Sequence, residues 1–188
     1  MTCVIGILDY NKVWLGADRA GTIEENFRVL SLCKVFTKGS TFIIGGRGSA
    51  RALQLIQYKL KLPKVKSHLG VDMEYMSTLF VDALMVCLRD SDGGIASEGK
   101  HNDWLVGYND QKNKPLLFHI QGDFSVFPIE KYAAIGTGEK IALGALHSSY
   151  ATLPRPWDEE TAKRIERALE AAEYYIGTVR HPFDIISV

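Results

Sequence analysis

Thr2 stands directly behind Met1 and opens the apolar run TCVIGIL. Removal of Met1 leaves one residue that carries both a free α-amino group and a hydroxyl. That pairing is a self-contained nucleophile, in which the amine takes the proton of the residue's own side chain. Threonine is small enough for that removal to be expected. Asp18, in LGADRAGT, and Lys34, in SLCKVF, follow at equal intervals of sixteen residues. A carboxylate keeps a neighbouring ammonium charged and oriented, and the ammonium favours the neutral form of a nearby amine. GGRGSA, residues 45–50, adds glycines just before a helical pattern, where backbone N–H groups suit an oxyanion. Each feature has a plainer alternative: Thr2 as an ordinary strand residue, Asp18 and Lys34 as a structural ion pair, and the glycines as a tight turn.

The elements around these residues bring them to one place. Residues 2–9 and 13–18 read as strands joined by a tight turn, apolar on both faces as in a sheet covered on both sides. Cys3, Ile5 and Ile7 fall on one face and Val4 and Leu8 on the other. VFT (35–37) and TFIIG (41–45) read as the next pair. Ala50, Leu53, Ile56 and Leu60 recur at helical spacing until Pro63, and a second helix is expected over residues 71–89. A polar turn, DSDGGIASEGKHND (90–103), follows; it lacks the Gly and Glu offsets of a calcium loop. Strands return as WLVGY (104–108), LLFHI (116–120), FSVF (124–127) and YAAIG (132–136). A helix then starts from the glycine turn GTG, another spans 158–176 with Asp158 as its N-cap, and FDIISV closes the chain as a strand. Strands, two helices, strands, two helices and a strand predict an α+β fold, a four-layer αββα sandwich in one domain over residues 1–188. Thr2, Asp18 and Lys34 lie at strand ends that such pairing gathers together.

Bulk properties exclude other classes. Lys plus Arg and Asp plus Glu number 22 each, so the net charge of zero gives no nucleic-acid or anionic-membrane footprint. The one basic run, KLKLPKVK (59–66), reads as a solvated helix end. No apolar run reaches the ~18 residues of a membrane span, and no signal-peptide pattern precedes Thr2, so a cytoplasmic protein is expected. The three cysteines, Cys3, Cys33 and Cys87, form no disulfide framework, and the five histidines, His147 and His181 among them, have no metal-ligand spacing. Strand alternation turns Cys3 away from the face of Thr2.

The pattern resembles the proteasome β-subunit family of N-terminal nucleophile hydrolases, and its bacterial HslV branch in particular. In that family a catalytic Thr begins the mature chain, with an Asp and then a Lys at the same two intervals. Asp and Lys each make up about 6% of ordinary residues, so both offsets match by chance roughly once in 300. The resemblance runs through GGRGSA and through Gly136-Thr137-Gly138, and so along essentially the whole chain. It implies a threonine endopeptidase with Thr2 as nucleophile, Asp18 and Lys34 as its support, and Gly48 as oxyanion donor. Thr137 stands where the family has a Ser and keeps the hydroxyl. Glu173, in AEYYIG, stands near the family's late Asp, with Ile176 in place of a Ser, as the HslV branch also has an apolar residue there. Cys3 stands where HslV enzymes usually have a second Thr. Gly21, Thr22, Gly46 and Ala50 would border the substrate cleft, with Gly46 leaving a side-chain pocket open and Leu32 making it apolar. The family forms closed rings, often with an ATP-dependent unfoldase, so a homo-oligomer acting on peptides or unfolded proteins is implied. No organic cofactor or resident metal is expected; the carbonyls of Ala172, Tyr175 and Thr178 match a turn that holds a monovalent cation in some HslV-like proteins. Two rivals keep the fold: a small-amide acylase, and a non-catalytic ring that scaffolds a partner.

Overall fold

A computed structural model describes residues 2–23, 26–65, 70–89, 102–152 and 158–188. Strand β1, Cys3–Leu8, lies at the middle of the first sheet. It pairs antiparallel with β2, Val13–Asp18, on one side and with β10, Tyr132–Gly136, on the other. The last strand, β11, Phe183–Ser187, adds to β2 and completes the order β10-β1-β2-β11. The second sheet is a meander, β5-β6-β7-β8-β9, built from Val35–Lys38, Phe42–Arg47, Asp103–Tyr108, Leu116–Ile120 and Val126–Ile129.

The alternation of β1 sets the layers. Val4 joins Val13, Leu15, Ala17, Val35, Ile43, Leu105 and Leu117 in the core between the sheets. Cys3, Ile5 and Ile7 face the other way, against Ala142 and Leu146 of α4 (Glu139–Thr152) and Ile165, Leu169 and Ala172 of α5 (Asp158–Tyr175). On the far side of the second sheet, Phe42, Ile44, Trp104 and Val106 pack on α1 (Ala50–Tyr58) and on a longer helical segment. The result is the expected αββα sandwich, held by apolar side chains worth roughly 1.5–3 kcal/mol each when fully buried.

That longer segment starts at Met73–Tyr75 (α2), capped by the Asp72 carboxylate, which accepts the Tyr75 N–H at 2.8 Å. It widens to a π-helix over Met76–Phe80 and returns to α-helix over Val81–Arg89 (α3). Ser77 and Thr78 donate to the carbonyls of Met73 and Glu74, both at 2.6 Å. Hydroxyls bonded back to the i−4 carbonyl loosen and bend a helix, which accounts for the wider turn there.

Three expectations need correction. A short hairpin, β3 (Ala20–Ile23) with β4 (Asn26–Val29), forms where no strand is expected. Strand β9 begins at Val126, because Phe124 takes a left-handed conformation, φ +68°, in a tight turn and stacks on Trp104 at 5.9 Å. The basic run is only half solvated: Lys59, Lys61 and Lys64 are exposed, but Leu60 is buried and Leu62 and Val65 pack on the core. The turn expected over 90–103 lies, up to residue 101, outside the described residues, and Asp158, expected as an N-cap, is the first residue of α5. Among the described residues no helix is long and apolar enough to cross a membrane.

Candidate active site

Thr2 lies at one end of the sandwich, where β1 begins and β2 and β10 end; Cys3 is opposite Gly136, and Val4 opposite Ala17. The backbone there is close. A Cβ on Gly136 would stand 2.2 Å from the Thr2 carbonyl oxygen, and Gly136 has φ +103°, so the position accepts only glycine without distortion. The Gly138 N–H donates to that same carbonyl at 3.4 Å. The GTG segment thus holds the chain beside Thr2, and exposed Thr137 sits between its two glycines.

Asp18 is fully buried at the end of β2, and its carboxylate is closely satisfied. Oδ1 accepts the Cys3 N–H and the Lys34 ammonium, both at 2.9 Å, and Oδ2 accepts the Ala20 N–H at 2.9 Å. One carboxylate therefore links the peptide that follows Thr2 to Lys34. Lys34 is 5% exposed, and its carbonyl accepts the Gly46 N–H at 3.1 Å. Burial lowers the Lys34 pKa from the ordinary lysine value, and the Asp18 charge partly restores it. Cys3 behaves oppositely. Burial, then the Asp18 charge, pushes its thiol up to about 12, so it stays protonated and packs against Gly138.

Gly48 follows β6 with φ +109°, another left-handed position. The next residue, Ser49, caps α1 by accepting the Ala52 N–H at 3.4 Å. The turn is held from outside by Asn102, which is buried and accepts the Ser49 N–H on Oδ1 at 2.7 Å. Ala50 is exposed at the first turn of α1, and Leu32 is half-buried. Gly21 and Thr22 lie on β3, whose other edge has no strand partner among the described residues.

Two sequence expectations change here. Gly46 leaves no opening beside it: its Cβ would meet Trp104 Cδ1 at 2.7 Å and Leu53 Cδ2 at 2.8 Å, both from buried side chains. Gly46 is a glycine because β7 places Trp104 directly opposite it. Glu173 is engaged at the end of α5: Oε1 accepts the His181 N–H at 3.1 Å and Oε2 pairs with the His181 ring. In the turn expected to hold a monovalent cation, the Thr178 hydroxyl is buried with no hydrogen-bond partner among the described residues, whereas the Ala172 carbonyl accepts the Ile176 N–H at 2.8 Å.

Sequence reasoning missed Asn102 and Asp184. Arg19 turns the corner between β2 and β3, and its Nε donates to Asp184 Oδ2 at 2.8 Å while Nη2 pairs with Oδ1. A charged residue beside Asp18 was one visible signal, but its partner lies 165 positions away.

No family model and no curated protein matches the chain. Solved structures match over nearly its whole length. The BPH protein of Thiobacillus denitrificans in complex with epoxomicin superposes with a TM-score of 0.75 at 15% identity, covering 99% of this chain and 97% of that one. HslV from Trypanosoma brucei gives 0.65 at 18% identity, with 98% of each chain covered. An Anbu Gly-1 mutant from a Hyphomicrobium strain gives 0.73 at 16%, covering 98% of this chain and 80% of that one. The chain has the fold of the proteasome-like N-terminal nucleophile hydrolases.

Proposed function

We propose that the chain is a threonine-type peptidase whose nucleophile is Thr2 once Met1 is removed, acting as a homo-oligomeric ring on peptides or unfolded protein. The observation that carries this reading is the buried Asp18 carboxylate. It bonds to Lys34 and to the amide just after Thr2, both at 2.9 Å.

The α-amino group of Thr2 titrates near ~7.7–8.0 when unperturbed, so a useful fraction is neutral at working pH. It removes the Thr2 hydroxyl proton as Oγ attacks the peptide carbonyl carbon. Lys34, held charged by Asp18, favours the neutral amine and stabilises the developing alkoxide. The Gly48 N–H receives the tetrahedral oxyanion, a contribution of about 3 kcal/mol in comparable acyl transfers. The carbon–nitrogen bond then breaks as the amine returns its proton to the leaving nitrogen. Water hydrolyses the Thr2 ester by the same base. An extended substrate adds to the free edge of β3 at Gly21 and Thr22, with Ala50 across the cleft. Thr137 borders the nucleophile; Glu173, bound to His181, supports the turn after α5 instead of taking a proton.

Epoxomicin, the ligand of the Thiobacillus structure, is the first probe. Intact mass should show the chain lacking Met1 and gaining one epoxomicin, with fluorogenic peptides hydrolysed. Thr2→Ala should abolish both adduct and turnover. Complete Met1 removal with neither adduct nor hydrolysis would overturn the reading.

A further inference from the structure

Arg19, Cys33 and Asp184 converge beside the site. Asp184 lies on β11 opposite Ala17, one residue short of Asp18. Its carboxylate takes the Arg19 guanidinium on both oxygens, and the side chains are 30% and 15% exposed. Arg19 is pinned through its backbone as well: its N–H donates to the Arg180 carbonyl at 3.3 Å and its carbonyl accepts the Leu30 N–H at 2.8 Å. The Cys33 thiol faces the same carboxylate, and burial first and then that charge raise its pKa. Arg19 follows Asp18 and Cys33 precedes Lys34, so one carboxylate sits against the neighbours of both members of the buried pair.

We propose that Asp184 is a positioning residue: by clamping the Arg19 corner it fixes the orientation of the Asp18 carboxylate on which Lys34 rests. This builds on the reading of Thr2 as nucleophile. The route is through atoms already described. Asp18 Oδ2 holds the Ala20 N–H across the corner that Arg19 makes, and Oδ1 holds Lys34 and the Cys3 N–H. If the corner relaxes, the Ala20 bond lengthens, the carboxylate rotates, and the contact with Lys34 weakens. A planar guanidinium paired two-to-two with a carboxylate fixes an angle, which a single-point contact does not.

Among the described residues, Asp18 of β2 and Cys3 of β1 face Lys34, Glu139 of α4 faces Cys3, and Cys33, next to Lys34 in the chain, faces Asp184 and Arg19. With the clamp gone, Lys34 loses part of the Asp18 contact that raises its pKa, so it titrates at lower pH. The Thr2 amine loses part of the nearby positive charge and titrates at higher pH. The bell of activity against pH therefore narrows from both sides.

The experiment compares wild type, Asp184→Asn and Arg19→Gln. The clamp predicts the same result for both variants: kcat lower by roughly ten- to a hundredfold, KM changed by less than about twofold, and both limbs moved inward. Charge alone predicts opposite shifts, because losing Asp184 lowers the Lys34 pKa whereas losing Arg19 raises it. Lysine side-chain NMR of Lys34 reads this without any turnover, so it decides the matter even if wild type neither binds epoxomicin nor cleaves peptide, an outcome that would sink the peptidase reading alone. Arg19→Lys keeps the charge without the two-point pairing and supplies a second variant if Asp184→Asn fails to fold. Limbs and Lys34 titration that stay in place, or move oppositely in the two charge variants, overturn the proposal.

Discussion

At the residue scale the site depends on one desolvated ion pair. Removing one partner of a buried pair strands the other charge, at about 3–5 kcal/mol. Lys34→Met and Asp18→Asn should each lose turnover by at least about a hundredfold. Denaturant unfolding should show Lys34→Met, which leaves Asp18 buried without its ammonium, the less stable. The pH dependence follows from the same two groups. Activity rises as the Thr2 amine loses its proton and falls as Lys34 loses its own. Because burial lowers the Lys34 pKa, the alkaline limb should lie below the ordinary lysine value of 10.5. An alkaline limb at or above that value in a kcat profile would show that Lys34 is not the group that titrates.

At the element scale, two turns set the distances. The β10–α4 turn brings Gly136 against the Thr2 carbonyl. Gly136→Ala must either move that carbonyl or strain the turn; a cost of about 1–3 kcal/mol is expected, with a loss of Thr2 reactivity larger than the loss of stability. Thermal unfolding and epoxomicin labelling rates, measured together, separate the two effects. The turn after β6 depends on Asn102, whose Oδ1 is bonded to the Ser49 N–H. Asn102→Ala should cost about 1–3 kcal/mol and slow acylation by loosening the Gly48 turn. The β3–β4 hairpin escaped sequence reading because AGTIEENFRV alternates weakly and carries no strong turn dipeptide. The shifted start of β9 has a similar origin: Asp123 accepts the Ser125 N–H, and a local hydrogen bond of that kind favours a turn over an earlier strand start.

At the scale of the whole molecule, the two cores must hold β1 from both sides. Gly16 shows how closely α5 lies on the first sheet: a Cβ there would stand 2.2 Å from Ile165 Cγ2. Gly16→Val should lift α5 and lower the melting temperature, by overpacking worth about 1–3 kcal/mol or more. The proposed ring is tested by native mass spectrometry, which should find a closed oligomer of a single mass; a monomer at working concentration would remove the enclosed chamber from the reading, though not the Thr2 chemistry.

The layers of the sandwich were legible because β1 alternates Cys3, Ile5 and Ile7 against Val4, and because α1 and α5 carry apolar stripes at helical spacing. Thr2, Asp18 and Lys34 were legible because each stands at a strand end, before β1, at the end of β2 and before β5, which the packed sheets bring to one edge of the fold. What the chain order could not reveal was who meets whom across the sheets. Trp104 closes the space beside Gly46 because β7 pairs with β6, and Glu173 finds His181 because the turn after α5 folds back on it. Asp184 reaches Arg19 because the last strand joins the sheet beside β2. Local sequence determines the period and ends of each element through short-range sterics and hydrogen bonding. Contacts between residues far apart in the chain form only when burial of the shared apolar core packs those elements together.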